Sequence, residues 1–197
     1  MSYRAWLGLL LVVPLLALSA CTPESRDNLP AENRVAPDTR LIGQWRDESD
    51  SNDFRIDVSQ RDAREYAVVT TETMGGGGTR LHKVEYRLQA FAVAGRTILA
   101  VQELERDPAW RFLTYRWNGD DDITLFTLDE TPIRALIESG KLPGTVKGAT
   151  TSFVEIMITA PAAQLAALIG GADGGQLFSY KIGPFQRQAV EASSEPD

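Results

Sequence analysis

The chain has 197 residues, 43% of them hydrophobic and 24% charged, which is ordinary globular material for one domain with a sizeable core. Its 27 acidic against 20 basic residues leave a formal charge of -7, and no basic run interrupts that balance, so no nucleic acid is expected as a partner. One cysteine and one histidine exclude an internal disulfide framework and a Cys/His zinc cluster within one chain.

At the N-terminus, "MSYR" supplies a short positive region, "WLGLLLVVPLLAL" an uninterrupted apolar stretch, and "SA" the small residues that signal peptidases require. The apolar stretch is shorter than the ~20 residues of a comfortable bilayer span, so residues 1–20 are expected to be a cleaved signal peptide. From Thr22 to Arg40, "TPESRDNLPAENRVAPDTR" is rich in proline and charge and poor in apolar residues, the composition of a disordered spacer.

Between signal and spacer lies the only cysteine, and Leu18-Ser19-Ala20-Cys21 resembles the lipobox of bacterial lipoproteins. The resemblance implies that Cys21 becomes the first residue of the mature protein, diacylated on sulfur and acylated on its new amine. Two or three chains at ~0.8 kcal/mol per buried methylene exceed the two-signal requirement for stable anchoring. Threonine rather than aspartate at position 22 leans toward the inner leaflet of an outer membrane, facing the periplasm.

From Leu41 the pattern changes to short alternating runs: "LIGQWR", "DFRIDVS", "REYAVVTTET", "RLHKVEYRLQAF", "TILAVQEL", "WRFLTYRW", "DITLFTLD" and "TSFVEIMIT". The segments between most of them, among them "DESDS", "GGGG", "AGR", "RDPA" and "NGD", are short and rich in turn residues, so neighbouring strands are expected to be antiparallel hairpins. The fold class predicted is mainly β: an antiparallel, up-and-down, eight-stranded meander over 41–187, barrel or barrel-like, with two short helices. The helices are "TPIRALIESGK", with Ile133, Leu136 and Ile137 at helical spacing, and "TAPAAQLAALIGG", with Thr159 as expected N-cap and Gly170-Gly171 as stop. A short strand "LFSYKI" follows, and residues 188–197 are a polar, flexible tail.

The order of elements, with Gly43-Gln44-Trp45 on the first strand, resembles the lipocalins and their calycin relatives. That resemblance implies a closed barrel in which Trp45 packs at the closed end beneath Arg187 from the last structured stretch. A guanidinium over an indole face gains ~0.5 to 2 kcal/mol. The rival architecture is an open or two-layer sheet covered by the helices. In "KVEYRLQA" the set Val84, Tyr86 and Leu88 alternates with Lys83, Glu85 and Arg87, so one face meets water. In "WRFLTYRW" and "SFVEIMI" both faces are bulky and apolar, which calls for cover on each side or a partner.

Sites of chemistry are sparse. His82 lies in phase with Val84 and Tyr86 and points inward at the rim of the core, with no nucleophile to serve. "MGGGGTR" lacks the lysine and hydroxyl residue that grip phosphate and metal, and reads as a flexible hairpin tip. "DESDSND" and "NGDDD" carry oxygen ligands without the spacing of a helix-loop-helix calcium site, so no metal and no cofactor are expected. Trp110 and Trp117 bracket the sixth strand with opposite facing and mark a possible binding surface. The expectation is a non-enzymatic, membrane-anchored envelope protein that binds a small apolar ligand. The alternative is an accessory subunit of an envelope protein assembly, with a filled core.

Overall fold

The structure, a computed structural model, describes residues 22–47, 54–74, 80–106, 108–148 and 154–189. The signal segment, Cys21, the glycine run 75–78, most of "DESDSND" and the tail from 190 lie outside the described residues.

Eight strands close into one antiparallel barrel. They are β3 (Gly43–Asp47), β4 (Arg55–Asp62), β5 (Glu65–Met74), β6 (Arg80–Val93), β7 (Arg96–Glu103), β8 (Arg111–Trp117), β9 (Asp122–Thr127) and β12 (Tyr180–Arg187). Successive strands pair with their neighbours up to β9, and β12 then inserts between β9 and β3, with Arg187 opposite Trp45. Tight connections enforce this order: Ala94 and Gly95, both at positive φ (48° and 77°), make the kind of two-residue turn that matches strand twist between β6 and β7.

The closing strand is a correction to the sequence reading, which ended its eight main runs at 151–159. That segment supplies β11 (Glu155–Ile158), which leaves the barrel for a small outer sheet with β10 (Gly144–Lys147) and β1 (Glu24–Ser25), the last running parallel to it. The short strand "LFSYKI" anticipates the start of β12 and stops at Ile182, because Gly183-Pro184 interrupts a strand pattern where proline lacks an N–H. The barrel accommodates it with a register shift between Ile182 and Phe185.

Outside the wall lies a second layer: α1 (Glu130–Glu138), the small sheet, and α2 (Ala162–Gly170). Asp129 caps α1, its carboxylate accepting from the Thr131 N–H at 2.8 Å. The residue capping α2 is Pro161, not Thr159, whose N–H is engaged by the Pro143 carbonyl instead. This layer creates a second core, in which Ile133, Ile158, Leu165 and Ile169 bury against Phe91, Ile98 and Phe112 of the wall. The bulky residues on both faces of β8 are thereby explained: Phe112 packs outward under the cover and Leu113 inward.

Residues 22–41 also depart from expectation. Instead of a loose spacer they form a strap bound along the molecule. Ser25 and Trp110 exchange both main-chain hydrogen bonds at 2.8 Å, and the Asn28 amide donates to Gln89 at 3.0 Å. Leu29 is buried in the outer core, and β2 (Arg34–Val35) pairs with β6 at Phe91 and Ala90. Proline and charge lower the intrinsic tendency to order, but β6 is longer than its partner β5 and leaves edge groups that this segment satisfies.

Candidate functional site

The barrel interior holds a cavity of about 290 Å³, at the small end of the ~300–1,000 Å³ range of ligand sites. An eight-stranded barrel is just wide enough to be filled by side chains or to hold one small ligand, so the size of the inward residues decides. Here the inward positions along the wall are mostly aliphatic, among them Ile56, Val68, Val84, Leu99, Val101 and Leu125. The indole rings of Trp45 and Trp117 gather at one end, where they plug it, while the Tyr86 ring lies toward the other.

That closed end is built on Trp45, only 3% exposed. Its indole N–H donates to the Leu41 carbonyl at 2.9 Å, and the Trp117 ring lies 5.8 Å away at a tilt of 50°. The Arg187 guanidinium covers the outer face of Trp45, with Cζ 4.4 Å from the ring centre. It is held there by the Ile42 carbonyl (2.6 Å), the Arg40 carbonyl and the Asp121 carboxylate (2.8 Å). Gly43 makes the approach feasible: its φ is +139°, and a Cβ would stand 2.7 Å from Arg187 Nη1. Arg40 caps Trp117 in the same way at 4.6 Å, while its guanidinium holds the Asp38 carboxyl below the usual carboxylate range. The Gly43, Trp45 and Arg187 set therefore comes together as one unit, and Trp117 belongs to that floor.

Trp110 does not form a surface. It is 7% exposed, packed in the outer core with the Arg87 guanidinium 4.9 Å from its ring centre. The two tryptophans face opposite ways as alternation requires, and the outer layer supplies the cover that the isolated strand lacked.

The cavity is partly open, and with the floor sealed its open side is the far end of the barrel, where Thr22, Thr70, Glu72, His82, Tyr86 and Arg111 line it. His82 is exposed there, opposite Glu72 in strand register. Arg111 is bonded to the Glu24 carboxylate and lies 3.9 Å from Glu103, so its charge is already matched. Burial, helped by the charge of Glu103, pushes the Tyr86 phenol above its ordinary range. Sequence reasoning did not single out Arg111 or Glu24, and it read Thr22 as a sorting position next to the anchor and not as cavity lining. A signal existed for Arg111, which shares the inward phase of Leu113 and Tyr115 along β8.

Among the described residues no group of three or more His, Cys, Asp or Glu side chains is arranged to hold a metal ion. The "NGDDD" acids serve the hairpin and the floor: Asp122 accepts from the Asn118 amide at 2.9 Å, and Asp121 holds Arg187. No helix among the described residues is long and apolar enough to cross a membrane. Comparison with protein-family models, curated proteins and solved structures finds no match for the chain. What is established is thus the class of fold, a closed eight-stranded antiparallel barrel consistent with a calycin-like architecture.

Proposed function

We propose that this chain is a lipid-anchored envelope protein, tethered through Cys21, whose barrel binds a small, neutral, apolar ligand without chemically changing it. The observation that carries the proposal is the apolar cavity of about 290 Å³ above a sealed floor. The tryptophan-arginine floor, in the position that the lipocalin resemblance implies, supports the same reading. Charge favours a neutral occupant over a fatty carboxylate, because the cavity-lining guanidinium of Arg111 is already paired with Glu24 and Glu103. The lipobox and Thr22 favour the outer membrane, periplasmic side. A cavity of this kind weighs against the alternative of an accessory subunit with a filled core.

The test is a titration of the mature, lipidated protein with a neutral naphthylamine probe whose fluorescence rises in apolar surroundings. Saturable binding of one probe per chain is expected, and Val101→Phe should weaken it at least tenfold while leaving the far-ultraviolet circular dichroism unchanged. Absence of saturable binding, or binding indifferent to both Val101→Phe and Val68→Phe, overturns the ligand-binding proposal. For the anchor, Cys21→Ser is expected to abolish palmitate incorporation; continued labelling refutes the assignment.

A further inference from the structure

We propose that the open end of the barrel is the end that faces the membrane, so that the cavity opens onto the hydrocarbon of the leaflet rather than onto water. The orientation rests on the lipid anchor proposed above and goes beyond it, since an anchor alone leaves the domain free to tumble.

The first support is the short reach between anchor and cavity. A flexible spacer of residues 21–40 would let the barrel roam ~20 to 25 Å from the bilayer in any attitude. The strap removes that freedom. Thr22 itself lines the cavity, Glu24 is ion-paired to Arg111, and Ser25 is clamped to Trp110 by two main-chain hydrogen bonds. Cys21 is the preceding residue, and consecutive Cα atoms are ~3.8 Å apart. Acyl chains on Cys21 therefore pull the open end, and no other part, to the bilayer.

The second support is independent of the cysteine. Among the described residues, the large hydrophobic side chains left exposed are Leu81 (69%), Leu104 (46%) and Tyr180 (52%). All three lie at the open end. Leu81 precedes the cavity-lining His82 at the start of β6. Leu104 follows the last residue of β7, its N–H bonded to Glu85 at 2.9 Å. Tyr180 opens β12 opposite Thr127, which also lines the cavity. The rim exposes charged side chains as well, among them Lys83, Glu85, Glu105 and Arg106, but the closed end exposes no large hydrophobic side chain among the described residues, only polar ones such as Arg40, Arg64, Asn118 and Asp120. Leucine and tyrosine are the residues that settle at a hydrocarbon boundary, the phenol reaching the headgroups.

The rim cations Lys83 and Arg106 are paired, with Glu85 at 2.8 Å and with Glu103 at 3.7 Å, and Glu105 adds a further exposed carboxylate, so these residues leave no excess of positive charge. Docking therefore draws on the acyl chains and apolar side chains, and zwitterionic lipid suffices. A ligand could then pass between leaflet and cavity without crossing water.

The experiment uses the mature, lipidated protein beginning at Cys21, in phosphatidylcholine vesicles. With the sulfur of Cys21 acylated, one introduced cysteine is the only thiol, and a spin label is placed at the rim by Leu104→Cys or Lys83→Cys, or at the closed end by Asp120→Cys. Accessibility to oxygen, which concentrates in lipid, is compared with accessibility to a water-soluble nickel chelate. The oxygen-to-nickel ratio at either rim position is expected to exceed that at position 120 severalfold. Equal or reversed ratios, in samples whose intact mass carries the acyl chains, overturn the orientation alone. An intact mass without acyl chains overturns the anchor, and the orientation with it.

Discussion

Replacing Trp45 with alanine tests the floor of the barrel most directly. The ring is 3% exposed, so truncation carries the ~3–5 kcal/mol typical of emptying a buried tryptophan site. Two further losses come from its polar contacts. The hydrogen bond to the Leu41 carbonyl disappears, worth ~1 kcal/mol, and the Arg187 guanidinium loses the face it covers at 4.4 Å, worth ~0.5–2 kcal/mol. Because the neighbours already border a cavity and relax into the space, the net expected loss is about 4–5 kcal/mol. With a urea m-value of ~2 kcal/mol/M, the unfolding midpoint should fall by roughly 2 M. Trp45→Phe keeps most of the apolar contact and should lose only ~1–2 kcal/mol, mainly from the missing N–H and a weaker cation–π contact. Urea titration followed by circular dichroism measures both. A loss below ~1 kcal/mol for Trp45→Ala would show that the floor does not depend on this ring and would refute the reasoning.

Gly43→Ala combines a φ of +139° with a Cβ 2.7 Å from Arg187 Nη1, and should cost ~1–3 kcal/mol by the same titration. In a double-mutant cycle with Arg187→Ala the two losses should be less than additive; strict additivity would break the link. Leu29→Ala should destabilise the protein by ~2–5 kcal/mol, because Leu29 is buried in the outer core. Limited trypsinolysis of the native protein should spare Arg26 and Arg34, whereas rapid cleavage there with an intact barrel would restore the spacer in place of the strap. Burial raises the phenols of Tyr66, Tyr86 and Tyr115 above their ordinary value. Their stabilising contribution is fully present below ~10 and is lost as pH rises through the folded values, so the urea midpoint should decline above about pH 10. Tyr86→Phe should blunt that decline, and a midpoint that rises with alkali would contradict the assignment.

Local patterning determined much of this protein. Alternation marks the strands from β3 to β9, since side chains on a strand point to opposite faces in turn. Glycine, proline and asparagine mark their connections, and bulky residues on both faces of β8 call for either an outer cover or a partner. The inward phase of His82, Val84 and Tyr86 was legible for the same reason, and all three line the cavity. Tertiary structure alone decided the rest, because each remaining feature depends on residues far apart in the chain. Closure relies on β12, whose Gly183-Pro184 reads locally as a turn and becomes a strand only between β9 and β3. Trp110 is exposed or buried according to whether Ser25 and the outer layer lie over it, which alternation within β8 does not encode. The strap has the composition of disorder, and only the unfilled edge of β6 gives its backbone partners. The cavity is a difference between barrel width and summed side-chain volume, fixed by register across all eight strands and by no single one.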